Sequence, residues 1–219
     1  MKWKVPDARG HRRVTRSRKI ALAYAAAAAV CLVVILALAI RAEKTPDIAG
    51  FVYPDPKVIA PFELTKHDGK PFDLDALKSK WSFVYFGYTY CPDACPTTLV
   101  ELDRAQKSLA RAGLDADNQY VFVSVDPQRD TLKRLAEYVA FFNEKFVGVT
   151  GSDQALRKFT RQLGVLYLFP EGRKGNDYLV AHSSTVVLID PASRLHAVFT
   201  EPPKAEGIVE GFRKIRAKH

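Results

Sequence analysis

The sequence predicts an α/β domain, a central sheet covered by helices on both faces, carried behind one N-terminal apolar span. Three observations predict it. From Val58 onward, strand-like and helix-like segments alternate. Before them, Ile20 to Ile40 runs without a charge and is closed by Arg41. Within that alternation, Cys91 and Cys95 fall where an apolar strand meets the next helix, the place at which open α/β sheets hold reactive groups.

The N-terminal part comes first. Eight basic residues fall within positions 1–19 against the single Asp7, so most of the formal net charge of +9 belongs to a short tail. The rest of the chain is nearly neutral and gives no case for nucleic-acid binding. An apolar stretch of about 20 residues, rising about 1.5 Å each, spans a hydrocarbon core of roughly 30 Å. The competing reading is a cleaved signal peptide, whose apolar region is shorter, about 7–15 residues. The expectation is therefore a basic cytoplasmic tail over 1–19 and a transmembrane anchor over 20–41. A linker over 42–57, with three prolines and a glycine, and a folded domain over 58–219 follow. Basic residues before a first span stay in the cytoplasm, so the domain is expected outside it, where thiols tend to oxidise. Arg12-Arg13 is a poor export signal given the residues after it, and Cys31 reads as a small residue within the span. A span beginning at residue 20 leaves little room for a mitochondrial presequence, which favours a bacterial inner membrane with the domain in the periplasm.

Within the domain, Val58 to Thr65 reads as a strand, His67-Asp68-Gly69-Lys70 as a hairpin turn and Phe72 as the start of the return strand. Ser82 to Tyr88 is aromatic and β-branched, a buried central strand. Thr97 to Arg111 gives a helix whose Leu99, Leu102, Ala105 and Leu109 share a face. Gln119 to Val125 is a strand stopped at Asp126-Pro127. Asp130 suits a helix N-cap, with Leu132 to about Asn143 following. Phe146 to Val149 is a short strand and Asp153 to Leu163 a helix. Val186 to Asp190 and Leu195 to Thr200 form a hairpin turned at Pro191-Ala192-Ser193, and Pro203 to Ala217 is a closing helix.

The cysteines stand at i and i+4. On one helical turn their Cβ atoms would lie about 5–6 Å apart, near enough to grip one metal ion or, with adjustment, to close a disulfide. Pro96 suits a first helical turn, and the helix N-terminus favours the thiolate. Three chemistries compete. A structural staple closing so short a loop constrains the unfolded chain little. A redox pair of thioredoxin type has two intervening residues rather than three. A soft-metal site needs a third ligand, for which His67, His182 and His196 are the candidates. His67 sits in a turn, His196 within a late strand, and His182 at a strand entrance, each with an ordinary structural explanation. Two thiolates and an imidazole suit Cu(I), or Cu(II) with added donors, whereas zinc usually takes four ligands.

The segment Phe86-Gly87-Tyr88-Thr89-Tyr90-Cys91-Pro92-Asp93-Ala94-Cys95-Pro96 resembles the cysteine motif of the Sco/SenC family, the copper proteins of cytochrome c oxidase assembly. Val123 to Thr131 resembles that family's second signature, and Tyr178 to Ser183 the segment bearing its copper histidine. Order and spacing agree over roughly residues 48–205. The resemblance implies a thioredoxin-like fold, a central mixed sheet flanked by helices, on a single anchor. It implies Cys91, Cys95 and His182 as copper ligands, with Asp126 as a nearby carboxylate that orients them or meets a partner; the plainer reading of Asp126 is a turn residue. Family members often carry an acidic residue just before the histidine, where this chain has Ala181.

The resemblance implies a copper metallochaperone that helps assemble the binuclear copper centre of the oxidase. Its partners would be the copper-bearing subunit of cytochrome c oxidase, with another copper chaperone or a thiol reductant as further ones. The alternative is a thiol–disulfide reductase in which Cys91 and Cys95 keep the oxidase copper-site cysteines reduced. Both use the same two sulfurs. A peroxidase on the same fold would be expected to have a proline upstream of the reactive cysteine, and positions 83–88 contain none.

Overall fold

The computed structural model describes residues 20–34, 48–172, 175, 177–200 and 203–218. The chain divides into two compact units, 1–44 and 45–219. In the first, residues 20–34 form a helix, α1. Among the described residues no helix is long and apolar enough to cross a membrane. The remainder of the expected anchor, 35–41, and the basic tail lie outside the described residues.

The second unit is built on β4 (Trp81–Gly87), all seven residues of which are buried. That is what an aromatic and β-branched run covered on both faces requires. It pairs in parallel with β5 (Asn118–Ser124), and β5 in parallel with β6 (Phe146–Thr150). The other neighbours are antiparallel. The sheet has eight strands in the order β1-β10-β9-β4-β5-β6-β2-β3, where β1 is Gly50–Val58, β2 Leu64–Lys66, β3 Pro71–Phe72, β9 Val186–Ile189 and β10 Arg194–Phe199. It is a mixed sheet.

Side-chain alternation along β4 divides the core. Phe83 and Tyr85 enter a cluster with Leu99, Leu102, Leu135, Val139 and Phe212, from α3 (Ala94–Arg111), α4 (Leu132–Phe142) and α6 (Ala205–Arg216). Val84 and Phe86 enter the opposite cluster with Leu77, Leu156 and Phe159, from α2 (Leu74–Leu77) and α5 (Asp153–Gln162). Helices thus cover both faces, as expected.

Several elements differ from the sequence reading. Residues 50–57, expected as linker, belong to edge strand β1. Its register on β10 holds at Gly50, Phe51 and Val52, shifts, and resumes at Lys57. Pro54 and Pro56 sit in the shift, so the prolines mark an interrupted edge strand rather than a tether. The strand expected from Val58 begins only at Leu64. The N-cap of α4 is Thr131, whose side chain accepts from Arg134 N, and Asp130 is buried in another role. A two-stranded sheet, β7 (Tyr167–Leu168) with β8 (Ala181–His182), has no counterpart in the expected elements.

Candidate metal centre

The cysteines are held by the end of the most buried strand. A Cβ at Gly87 would lie 2.5 Å from Cys95 Sγ and 3.0 Å from a carbon of Phe122, so glycine lets the sulfur lie against the strand. Beyond it, Thr89 donates through its backbone N–H and its hydroxyl to the Asp130 carboxylate, at 2.9 and 2.6 Å. Ser124 Oγ donates to the same carboxylate at 2.6 Å, and Arg134 Nε donates to Thr89 Oγ1 at 2.5 Å. Burial raises the Asp130 pKa against these hydrogen bonds. Asp130 therefore pins the segment leading into Cys91, a role that sequence reading missed by taking it for a cap.

Helix α3 starts at Ala94, earlier than the expected Thr97, so Cys95 lies in its first turn and Cys91 lies before it. Asp93 occupies the N-cap position but makes no side-chain cap. The Cys91 sulfur instead receives the backbone N–H groups of Asp93 and Cys95. The helix N-terminus thus meets a sulfur where it ordinarily meets an oxygen.

The histidine arrives on the β7–β8 hairpin, in which Tyr167 pairs with His182. Three ties dock this segment. Tyr178 OH donates to Asp126 Oδ1 at 2.9 Å, and Arg129 bridges from Asp126 Oδ2 at 2.5 Å to the Tyr178 carbonyl at 2.9 Å. The Arg129 guanidinium also lies 3.6 Å over the Tyr178 ring. The Tyr88 phenol oxygen takes the N–H of Val180, and its ring stands edge-on to His182 at 5.8 Å. Asp126 is fully buried and acts through Tyr178, holding the segment that carries His182. Arg129, equally part of this tie, was not singled out from the sequence, where a charged residue in a turn reads as solvated.

His182 Nδ1 lies 3.0 Å from the Ser183 carbonyl. With the ring proton on Nδ1 toward that carbonyl, Nε2 is the atom able to face a ligand. A backbone carbonyl thus orients the imidazole of a chain that has Ala181 in place of an acidic residue. Nε2 is 3.3 Å from Cys95 Sγ. The ligand atoms of Cys91, Cys95 and His182 all lie within 4.8 Å of one another, the one cluster of three such donors among the described residues.

Cys91 is half-buried and Cys95 fully buried, and both are free thiols. A hydrogen bond from Cys95 is the largest influence on Cys91; burial opposes it, and His182 and the two backbone N–H groups reinforce it, bringing the thiol down to about 3. The same shared hydrogen bond, then burial, pushes Cys95 up. The two sulfurs hold one proton between them, with the charge on the more exposed Cys91.

The other histidines go elsewhere. His67 Nδ1 accepts the Gly148 N–H at 2.9 Å. His196 stands edge-on to Trp81, at the end of β4 away from the cysteines, with Nδ1 3.5 Å from Asp190. Three donors that are two thiols and an imidazole match a soft, low-coordinate ion.

Residues 53–217 match the SCO1/SenC family model. The chain belongs to the SCO1/SenC family. It is 36% identical over 155 residues to Protein SCO1 homolog 1, mitochondrial, of Arabidopsis thaliana, a match covering 70% of this chain and 46% of that one. It thus spans about half the length of that relative. A SCO2-like protein of Rickettsia prowazekii is 34% identical over 179 residues, covering 80% and 86%. Among solved structures, Arabidopsis ScoI with copper bound superposes with a TM-score of 0.67 at 34% identity, covering 73% of this chain and 99% of that one. The thioredoxin-like fold implied by the resemblance is the fold observed.

Proposed function

We propose that this SCO1/SenC protein binds copper through Cys91, Cys95 and His182 and carries it to the binuclear copper centre of cytochrome c oxidase. The observation that carries the reading is the convergence of these three donors within 4.8 Å, although the histidine is 87 residues from Cys95. Two soft sulfurs and one imidazole suit Cu(I), and Cu(II) would recruit further donors at the half-exposed side. Copper is cargo here, and its passage to the oxidase subunit is ligand exchange. The protein is anchored in a bacterial inner membrane by residues 20–41, with the domain in the periplasm. The uncharged run and the basic tail before it support that placement.

The test is to purify unit 45–219, supply Cu(I), and measure stoichiometry and ligand type by X-ray absorption. One copper with two sulfurs and one nitrogen is expected; a four-coordinate zinc preference would defeat the reading. The second reading, reduction of the oxidase copper-site disulfide, is favoured by one asymmetry. Cys91 is half-exposed and stabilised as thiolate while Cys95 is buried behind it, the arrangement of an attacking and a resolving thiol.

A further inference from the structure

Among the described residues of the second unit, the exposed leucines are Leu166, Leu168 and Leu179, all on the hairpin that brings His182. Strand alternation puts them on one side. Leu168 pairs with Ala181, and Tyr167 with His182. Tyr167, Tyr178 and Val180 are buried inward, so Leu166, Leu168, Leu179 and Ala181 make an outward face without a polar side chain. An exposed aliphatic sheet face of this kind calls for a cover.

Helix α5 runs into this hairpin through the turn at Gly164, and its outward face is basic. The other long helices carry ion pairs one turn apart: Arg104–Glu101 and Lys107–Asp103 on α3, Lys133–Glu137 on α4, Lys214–Glu210 on α6. On α5, Arg157, Lys158 and Arg161 are exposed and have no ion pair among the described residues. Asp153, in the first turn, is the one acid of that helix. The loop from 169 to 177 has Glu171 and Asp177 against Arg173 and Lys174, and so adds no net charge. The Arg157 guanidinium lies 5.5 Å over the Tyr167 ring, so the basic face and the aliphatic face adjoin.

We propose that the outer faces of α5 and of the β7–β8 hairpin dock together on an anionic phospholipid bilayer. The three cations meet lipid phosphates, and the leucines enter between the headgroups. An acidic protein would match the charges, but the hairpin face offers no donor or acceptor side chain to fix a partner's orientation. A lipid surface requires none. The inference goes beyond copper binding and rests on the anchored reading only for the nearness of a bilayer. Docking of this kind holds the histidine side of the metal centre at the membrane surface.

Cosedimentation of unit 45–219 with vesicles tests this. The unit contains the whole two-sided core, and the Arabidopsis ScoI chain it superposes on is covered to 99%. The parent should bind vesicles of equal parts phosphatidylglycerol and phosphatidylcholine, bind phosphatidylcholine alone far more weakly, and release in high salt. Replacing Arg157, Lys158 and Arg161 by serine should weaken binding about a hundredfold, at about fivefold per charge. Leu168→Ser with Leu179→Ser should weaken it about tenfold or more. Serine at Arg111, Lys133 and Arg213, three exposed cations on other helices, should leave binding close to that of the parent. All these side chains are exposed, and an unchanged thermal melt checks the fold of each variant. A parent that stays in the supernatant overturns the inference. So does a leucine variant that binds like the parent, or an Arg111, Lys133 and Arg213 variant that loses as much as the α5 variant. A lipid-free parent dimer that the leucine substitutions dissociate overturns it too, because a second copy then covers the face. The anchor is scored separately: full chain washed off membranes by alkaline carbonate defeats the anchor, whatever unit 45–219 does with vesicles.

Discussion

The two halves of the metal centre are built differently. The cysteine half grows out of β4, a strand without an exposed residue, and is pinned by the Thr89–Asp130–Ser124 network. The histidine half is a two-residue strand, flanked by Leu166, Leu168 and Leu179 at 76%, 71% and 64% exposure. It is fastened to the domain chiefly by Asp126, Arg129 and Tyr88. One half is part of the core and the other is docked upon it. A site made this way can hold its sulfurs fixed and still open on one side to exchange a ligand with a partner.

The largest effect should come from removing the docked ligand. His182→Ala should weaken copper beyond the roughly 10–100-fold typical of an outer partner, while shifting folding stability by less than about 1 kcal/mol. Copper competition beside chemical denaturation measures both, and thiol–disulfide exchange by the cysteines should survive. A variant binding copper like the parent would break the comparison at its root. Next is Asp126→Ala, which strands the Arg129 guanidinium in the interior. It should cost about 3–5 kcal/mol, with copper affinity falling because the histidine segment loses its tie. A full stability loss with unaltered affinity would show that Tyr88 and Arg129 hold the docking without Asp126. Gly87→Ala works from the other half: its new methyl meets Cys95 Sγ and should cost about 1–3 kcal/mol, with the sulfur displaced.

The smallest effect is on pH dependence. Because Cys91 is held low, at about 3, its thiolate persists well below the ordinary thiol range. In the reduced, metal-free protein its alkylation rate should be nearly flat from about pH 8 to about pH 5 and decline toward pH 3, while Cys95 stays unreactive. A tenfold fall per pH unit below pH 8 would place the charge elsewhere.

The same contrast explains what the sequence could reveal. The cysteine half was legible: a run such as Ser82 to Tyr88 reads as a buried strand whatever surrounds it, and Cys91 and Cys95, four residues apart, are near in sequence as in space. The histidine half was not. A two-residue strand has no period to detect, and from the residues alone His182 had no advantage over His67 or His196; only the resemblance selected it. Asp130 was misread because an acidic residue before a helix is usually a cap, and its burial depends on Thr89, 41 residues earlier. Strand β1 was misread because its prolines look like loop, although an edge strand accommodates them.

Cys91 also stands in for the missing cap of α3, and this makes the first turn of the helix a reporter. Whatever occupies that sulfur, whether a metal, a mixed disulfide or an alkyl group, competes with the Asp93 and Cys95 amides for the same electrons. Those two amide protons should therefore shift in an NMR spectrum with each change of cargo, registering delivery at the backbone of the helix's first turn.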